Sequence, residues 1–200
     1  MHDMTLPHLF IVRHGQTDWN AEARLQGQEE IPLNALGRTQ AARNGRHLAE
    51  LLGDTASSYR FLASPMLRTR ETMRIIRTEL GLDADAYETD ARLIELHFGD
   101  WQGSTLAEVG AQDPRAVEAR EAAKWTYVPP GDSAESYDLL AQRAQPVFEA
   151  LNRPTVLVAH GGIVRSFLKL YASMPPVEAA HMIIPQDRIL EVRDGAVAWV

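Results

Sequence analysis

Two short apolar runs constrain this chain more than any other feature. They are Leu9-Phe10-Ile11-Val12, followed by Arg13-His14-Gly15, and Thr155-Val156-Leu157-Val158-Ala159, followed by His160-Gly161-Gly162. Each reads as a strand ending in a reactive side chain and a glycine, and the second opens a segment with helical spacing. Between them apolar runs alternate with helical patterns, which points to an α/β fold, three layers (α/β/α) around a mostly parallel central sheet. From Asn34 to Leu52, the positions Ala41, Gly45, Leu48, Ala49 and Leu52 recur at helical spacing, with Asn34 as cap and Gly53 as stop. Arg60-Phe61-Leu62-Ala63 reads as a short strand. Ser64-Pro65 then offers a cap and a first-turn proline for a helix with Met66, Thr69, Met73, Ile76 and Leu80 on its buried face, ended by Gly81. A helix from about Ser136 to Leu151 carries Leu139, Leu140, Val147, Phe148 and Leu151, and Pro146 inside it should kink or split it. Ile163 to Tyr171 places Ile163, Val164, Phe167, Leu168 and Tyr171 on one face. Arg188 to Val192 and Ala196 to Val200 read as strands around the turn Asp194-Gly195, adding antiparallel edges. Tyr127 to Ser133, rich in turn formers, resembles a mobile loop.

With 200 residues, 45% hydrophobic and 24% charged, the chain is of the ordinary globular class and suits one domain spanning residues 1–200. No apolar stretch approaches the roughly 20 residues of a membrane span. The start Met1-His2-Asp3-Met4 lacks the basic and apolar regions of a signal peptide, so a cytoplasmic protein with no membrane partner is expected. The absence of cysteine excludes disulfides, thiolate metal sites and a cysteine nucleophile. A net charge of −7 argues against a nucleic-acid partner, because phosphate backbones are held by clustered basic patches. Of the 20 basic residues only Lys124 and Lys169 are lysine; the others are arginine, whose planar fork grips phosphate oxygens bidentately. A genome-wide codon bias toward arginine would give the same composition, so position has to decide.

Arg13-His14-Gly15, the Ser64-Pro65 step leading to Arg68, and His160-Gly161-Gly162 each lie at the carboxyl end of an expected strand, where open α/β sheets build their binding crevice. If they converge, two arginines and two histidines line one cleft, and the amides at the helix starts after Ser64 and His160 add partial positive charge. Such a cleft suits a phosphoryl group. No His-x-x-His, His-Glu-x-x-His or carboxylate cluster stands at ligand spacing, which disfavours a metal site. His2, His8, His47, His97 and His181 read as ordinary surface or hydrogen-bonded histidines, and Arg74 and Arg77 as solvated helix faces.

Longer motifs carry a resemblance. Residues 11–20, Ile-Val-Arg-His-Gly-Gln-Thr-Asp-Trp-Asn, then Arg24-Leu25-Gln26-Gly27 and Pro32 to Gly37, resemble the opening motifs of the histidine phosphatase superfamily, the phosphoglycerate mutase-like enzymes. Ser64 to Thr72 resembles its second arginine motif, Leu93 to Gly103 its acid-bearing segment, and Val158 to Gly162 its closing histidine motif. The resemblance runs from about Leu9 to Leu190 and implies a phosphoglycerate mutase-like fold with a cap segment at about residues 101–135. It implies His14 as a nucleophile that carries the phosphoryl group as phosphohistidine, which needs a neutral imidazole. Arg13, Arg68 and His160 would stabilise the charge spread over the transferring oxygens, with His160 working best protonated. Glu95 takes the place of the proton donor to the leaving oxygen, and Asp100 is a competing acid. Asn20, Gln26 and Gly27 resemble substrate-contacting positions, with Gly15, Thr17 and the Gly161 amide as further candidates. Arg70, two residues from Arg68 on a helix, points elsewhere.

The family often has a Gly-Glu-Ser turn after a proline-rich loop. Here the loop reads Pro129 to Ser136, and either Asp132-Ser133 or Glu135-Ser136 could be its counterpart. The resemblance implies a phosphatase acting without cofactor or metal on a small phosphorylated metabolite, as a monomer or homodimer. The short chain and the Leu25-Gln26-Gly27 variant favour this branch. A phosphoglycerate mutase-type phosphomutase is the alternative, and a non-catalytic phospholigand-binding module a lesser one.

Overall fold

The computed structural model describes residues 6–200, so His2 lies outside the described residues. The central sheet has six strands: β1 (Leu9–Arg13), β2 (Arg60–Ala63), β3 (Glu88–Thr89), β4 (Thr155–Ala159), β5 (Ile189–Arg193) and β6 (Ala196–Trp199). Their order across the sheet is β3-β2-β4-β1-β5-β6, with β3, β2, β4 and β1 mutually parallel and β5 and β6 antiparallel. The helices are α1 (Asp18–Ala21), α2 (Ala35–Leu52), α3 (Leu67–Glu79), α4 (Leu106–Gln112), α5 (Pro114–Ala122), α6 (Tyr137–Glu149), α7 (Gly161–Tyr171) and α8 (Pro176–His181). The sheet is therefore mixed, and the antiparallel edge expected around Asp194-Gly195 is present, both turn residues having positive φ.

Side chains alternate across the central strands, so each strand supplies two cores. On one face Leu9, Ile11, Leu157 and Ala159 pack with Leu140, Ala144 and Phe148 of α6 and Ile163 and Phe167 of α7. On the other, Phe10, Val12, Val156 and Val158 pack with Leu48 and Leu52 of α2 and Met73 and Ile76 of α3. Burial on both faces is what makes these strands read as continuous apolar runs. Helix α2 begins and ends where its sequence signals fall: the Asn34 side chain accepts from Gly37 N, and Gly53, at φ 49°, stops it. Among the described residues no helix is long and apolar enough to cross a membrane.

Local expectations fail at identifiable places. Ser64 does not cap α3: its N–H donates to Val158 O at 3.0 Å, prolonging the β2 pairing, and the helix starts at Leu67 after Met66. Pro146 does not split α6, which runs through it to Glu149 because Leu140, Ala144, Val147 and Phe148 hold one buried face against the sheet. Leu139 points outward, 44% exposed. Arg77 is not on a solvated face: its Nε donates to Asp83 O at 2.6 Å and its guanidinium covers the Phe61 ring at 4.4 Å. The Tyr127–Ser133 stretch is tied down, with Pro130 O accepting from Asp100 N at 2.8 Å. Ser136 caps α6 and Glu135 pairs with Arg143 at 2.8 Å, while the turn itself falls at Asp132-Ser133, with Ser133 at φ 62°.

Candidate active site

Strand pairing brings the two distant histidines together. β1 and β4 lie side by side in parallel with Arg13 opposite Ala159, so His14 and His160 leave the same end of adjacent strands. Their ring centroids are 5.3 Å apart. β2, on the far side of β4, leads into α3, whose first turn places Arg68 beside His14. Glu95 arrives from the segment after β3 and meets the start of α7: its Oε2 accepts from Gly162 N at 3.2 Å and its Oε1 from Leu96 N at 2.9 Å. A side chain at Gly162 would stand 2.2 Å from Glu95 Oε1, so the carboxylate can approach only a glycine.

Hydrogen bonds fix the tautomer of His14. Nδ1 lies 2.8 Å from the carbonyl of Gly15, which can only accept, so Nδ1 carries the proton and Nε2 keeps its lone pair. Arg68 Nε donates to that lone pair at 3.2 Å. Arg68 is itself locked: Nη2 donates to Gly27 O at 2.8 Å, Nη1 to Glu29 O at 2.7 Å, and the residue is 0% exposed. Arg13 donates from Nη1 to Ile184 O at 2.7 Å. The Nε of Arg13, the Oε1 of Gln26 and the Nδ1 of His160 are buried polar atoms with no partner among the described residues.

Burial and like charge shape the electrostatics. His14 is held well below its usual pKa of 6.5, first by burial, then by Arg68 and Arg13. His160 is also held well below it, by burial, Arg68, His14, Arg13 and Arg143 in that order. Both effects disfavour a protonated His160 while the cleft holds no anion. Its imidazole sits 0% exposed behind His14, with Nε2 2.8 Å from Ser64 Oγ, and no carboxylate offsets the cost of charging it. Arg13 is pushed down to about 10, by burial and then by Arg165, with Glu95 opposing.

The cleft in front of these groups has a volume of about 210 Å³. Of the residues expected from the sequence, Arg13, His14, Asn20, Gln26, Gly27, Arg68, Glu95 and Gly161 line it. His160, Gly15 and Thr17 do not, so one histidine rather than two lines the cleft. A side chain at Gly15 would meet Gly37 O at 2.2 Å, so that glycine serves helix packing. Thr17 is 0% exposed and caps α1, its Oγ1 accepting from Asn20 N at 3.2 Å while Asn20 Oδ1 accepts from Thr17 N at 3.1 Å. Asp100 and Arg70 are exposed and away from the cleft wall, so the competing acid and the neighbouring arginine drop out. The cleft also holds residues that sequence reasoning missed: Arg120 of α5, Lys124 just beyond it, Tyr137 of α6 and Arg165 of α7. Gln186 was missed as well; its Nε2 donates to His14 O and to Asn20 Oδ1, each at 3.1 Å. Lys124, as one of only two lysines, carried the one available signal. Two larger hollows, about 460 Å³ beside Arg60 and Tyr87 and about 490 Å³ beside Asn44 and Asp187, contain none of the residues expected at the site.

Residues 9–196 match the family model described as histidine phosphatase superfamily (branch 1). A glucosyl-3-phosphoglycerate phosphatase of Mycobacterium tuberculosis is 36% identical over 186 residues, 86% of this chain and 78% of that protein. A 2,3-bisphosphoglycerate-dependent phosphoglycerate mutase of Cytophaga hutchinsonii is 30% identical over 187 residues, 88% of this chain and 83% of that one. The solved complex of a mycobacterial glucosyl-3-phosphoglycerate phosphatase with inorganic phosphate superposes with a TM-score of 0.76 at 28% identity, covering 97% of this chain and 94% of that one.

Proposed function

From the premise that this chain belongs to the histidine phosphatase superfamily, we propose that it hydrolyses small phosphomonoesters through a phosphohistidine formed on His14. One observation carries the reading: the unprotonated Nε2 of His14 faces a small cleft beside two buried guanidinium groups. A cleft of about 210 Å³ lies below the roughly 300–1,000 Å³ that holds drug-sized ligands, which favours a small substrate.

The chemistry follows from the charges. A phosphoryl group entering the cleft takes the donors of Arg13 and Arg68, and Arg68 Nε turns from the His14 lone pair to a phosphate oxygen. Nε2 then attacks phosphorus as the bond to the leaving oxygen breaks, and the Glu95 carboxyl gives that oxygen its proton. In the second half-reaction the Glu95 carboxylate takes a proton from water, the water oxygen bonds to phosphorus, and the phosphorus–nitrogen bond returns its pair to His14. The fixed guanidinium groups stabilise charge on the equatorial oxygens in both steps. His160, behind His14, gains a reason to hold a proton once a dianion occupies the cleft in front of that ring. The segment 101–135 acts as the cap, bringing Arg120 and Lys124 over the cleft.

His14→Ala should abolish phosphate release from an aryl phosphate, and brief exposure of the unmodified chain to substrate should leave acid-labile phosphate on His14. Undiminished turnover in the variant would refute the assignment. Fast isomerisation of 3-phosphoglycerate in the presence of a bisphosphoglycerate primer, with little free phosphate, would instead identify a mutase.

A further inference from the structure

A proton donor has to stand within hydrogen-bond reach of the leaving oxygen, yet Glu95 lies on a segment that is neither strand nor helix. That segment joins two single-turn helices, Ala91–Leu93 and Gly99–Trp101. No ladder of backbone hydrogen bonds fixes its height over the cleft. Leu93 and Leu96 are buried in the core, and Gln28 Nε2 donates to Glu95 O at 3.0 Å. Arg143 of α6 and Glu135, just before that helix, supply further ties on both sides of Glu95.

All five N–H donors of Arg143 are engaged in this clamp. Nε and Nη2 donate to Glu135 Oε1 and Oε2, each at 2.8 Å, as a bidentate pair. Nη1 donates to Arg92 O at 2.8 Å and to Ile94 O at 3.1 Å, and Nη2 reaches Glu95 O at 3.4 Å. Glu135 in turn grips His97 by both backbone groups: its Oε2 accepts from His97 N at 3.2 Å, and its N–H donates to His97 O at 2.9 Å. Glu95 thus sits inside a bracket that begins at residue 92 and ends at residue 97. Arg143 does not line the cleft and has no donor left for a substrate anion, so any effect it has on the reaction passes through the segment it holds.

We infer that Arg143, braced by Glu135, is the positioning residue of Glu95, holding the proton donor where it reaches the leaving oxygen. This inference rests on the phosphatase reading of the same cleft. Shape rather than charge is what the position requires. A lysine at 143 would keep the positive charge, but its three donors radiate from one nitrogen and cannot span the Glu135 carboxylate and the carbonyls of residues 92, 94 and 95. A displacement of about 1 Å costs an aligned reaction roughly a hundredfold. The loss falls on the step that uses the proton: phenolate needs one as its bond to phosphorus breaks, whereas the more stable nitrophenolate departs without it.

The test compares phenyl phosphate with 4-nitrophenyl phosphate by kcat/KM, which covers phosphoryl transfer to His14 and leaves out the later hydrolysis. Arg143→Lys should lose about a hundredfold on phenyl phosphate and under about tenfold on 4-nitrophenyl phosphate. Glu95→Gln should show the same selectivity, and adding Arg143→Lys to it should cost little more, because two residues that act through one group are not additive. Glu135→Gln, which weakens the brace and leaves Arg143 in place, should show the selectivity at smaller size, and it decides the matter if Arg143→Lys does not fold. Equal losses on the two esters, full activity in Arg143→Lys, or losses that multiply in the double variant overturn the inference alone. An unmodified chain that releases phosphate from neither ester overturns the phosphatase reading and the inference with it.

Discussion

His14 and His160 are buried with their rings 5.3 Å apart among guanidinium groups, so protonating either works against both desolvation and like charge. The consequence is a pH dependence of stability with a definite sign. A histidine whose folded-state pKa lies below 6.5 leaves the unfolded chain binding more protons as the pH falls through 6.5, so stability is intact above that pH and is lost below it. Each such histidine contributes a slope approaching about 1.4 kcal/mol per pH unit in that window. Urea unfolding at pH 7.5, 6.5 and 5.5 should show stability falling on the acid side, less steeply in His160→Gln; equal slopes in the two proteins would contradict the burial argument. At this scale much of the site was legible. Arg13 and His14 adjoin the strand that positions them, and Arg68, Glu95 and His160 stand in longer motifs. Thr17 was misassigned although Thr17 and Asn20, three apart, have capping-box spacing, because the motif around them suggested substrate contact. Arg120 was not legible, because α5 has no apolar stripe to say which face turns inward, and Lys124, beyond the end of α5, was marked only by its rarity.

The start of α2 is as much a part of the site as the strands. Gly37 in its first turn and Gly15 after His14 touch so closely that a side chain at Gly37 would stand 2.0 Å from Gln16 O. Because the obstacle is backbone, it cannot rotate away. Gly37→Ala should cost about 2–3 kcal/mol and shift the loop that holds His14, lowering kcat more than it raises KM. Unfolding and steady-state kinetics would check this, and a variant with unchanged stability would show that the contact is looser than drawn. The strands and α2 were readable because runs buried on both faces, a cap and a stop are local signals. Pro146 and Ser64 misled because tertiary contacts decided them: a buried helix face carried α6 through the proline, and His160 with the β4 backbone claimed Ser64.

For the molecule as a whole, anion binding and folding are linked, since the cleft exists only when β1, β2, β4 and the residues after β3 are assembled. Phosphate or vanadate at about a hundred times its Kd should stabilise the native state by about 2.7 kcal/mol, raising Tm by about 5–10 °C for a chain of this size. Arg68→Ala should lose most of that rise in a thermal scan, and an unmodified chain whose Tm ignores both anions would count against the cleft. The mixed α/β architecture was visible in the alternation of strand and helix patterns. The order of the strands was not, because pairing between segments some 145 residues apart leaves no local trace.

That order bears on how the chain is made. Strand β1 is an interior one, and both of its neighbours, β4 and β5, lie some 145 and 180 residues further along the chain. Until residue 155 is translated, Phe10 and Ile11 have no backbone to pair with, and His14 has neither its companion imidazole nor a wall. A nascent chain that has not reached β4 and β5 thus presents a bare apolar strand and no catalyst, so synthesis must pass these strands before the enzyme can act.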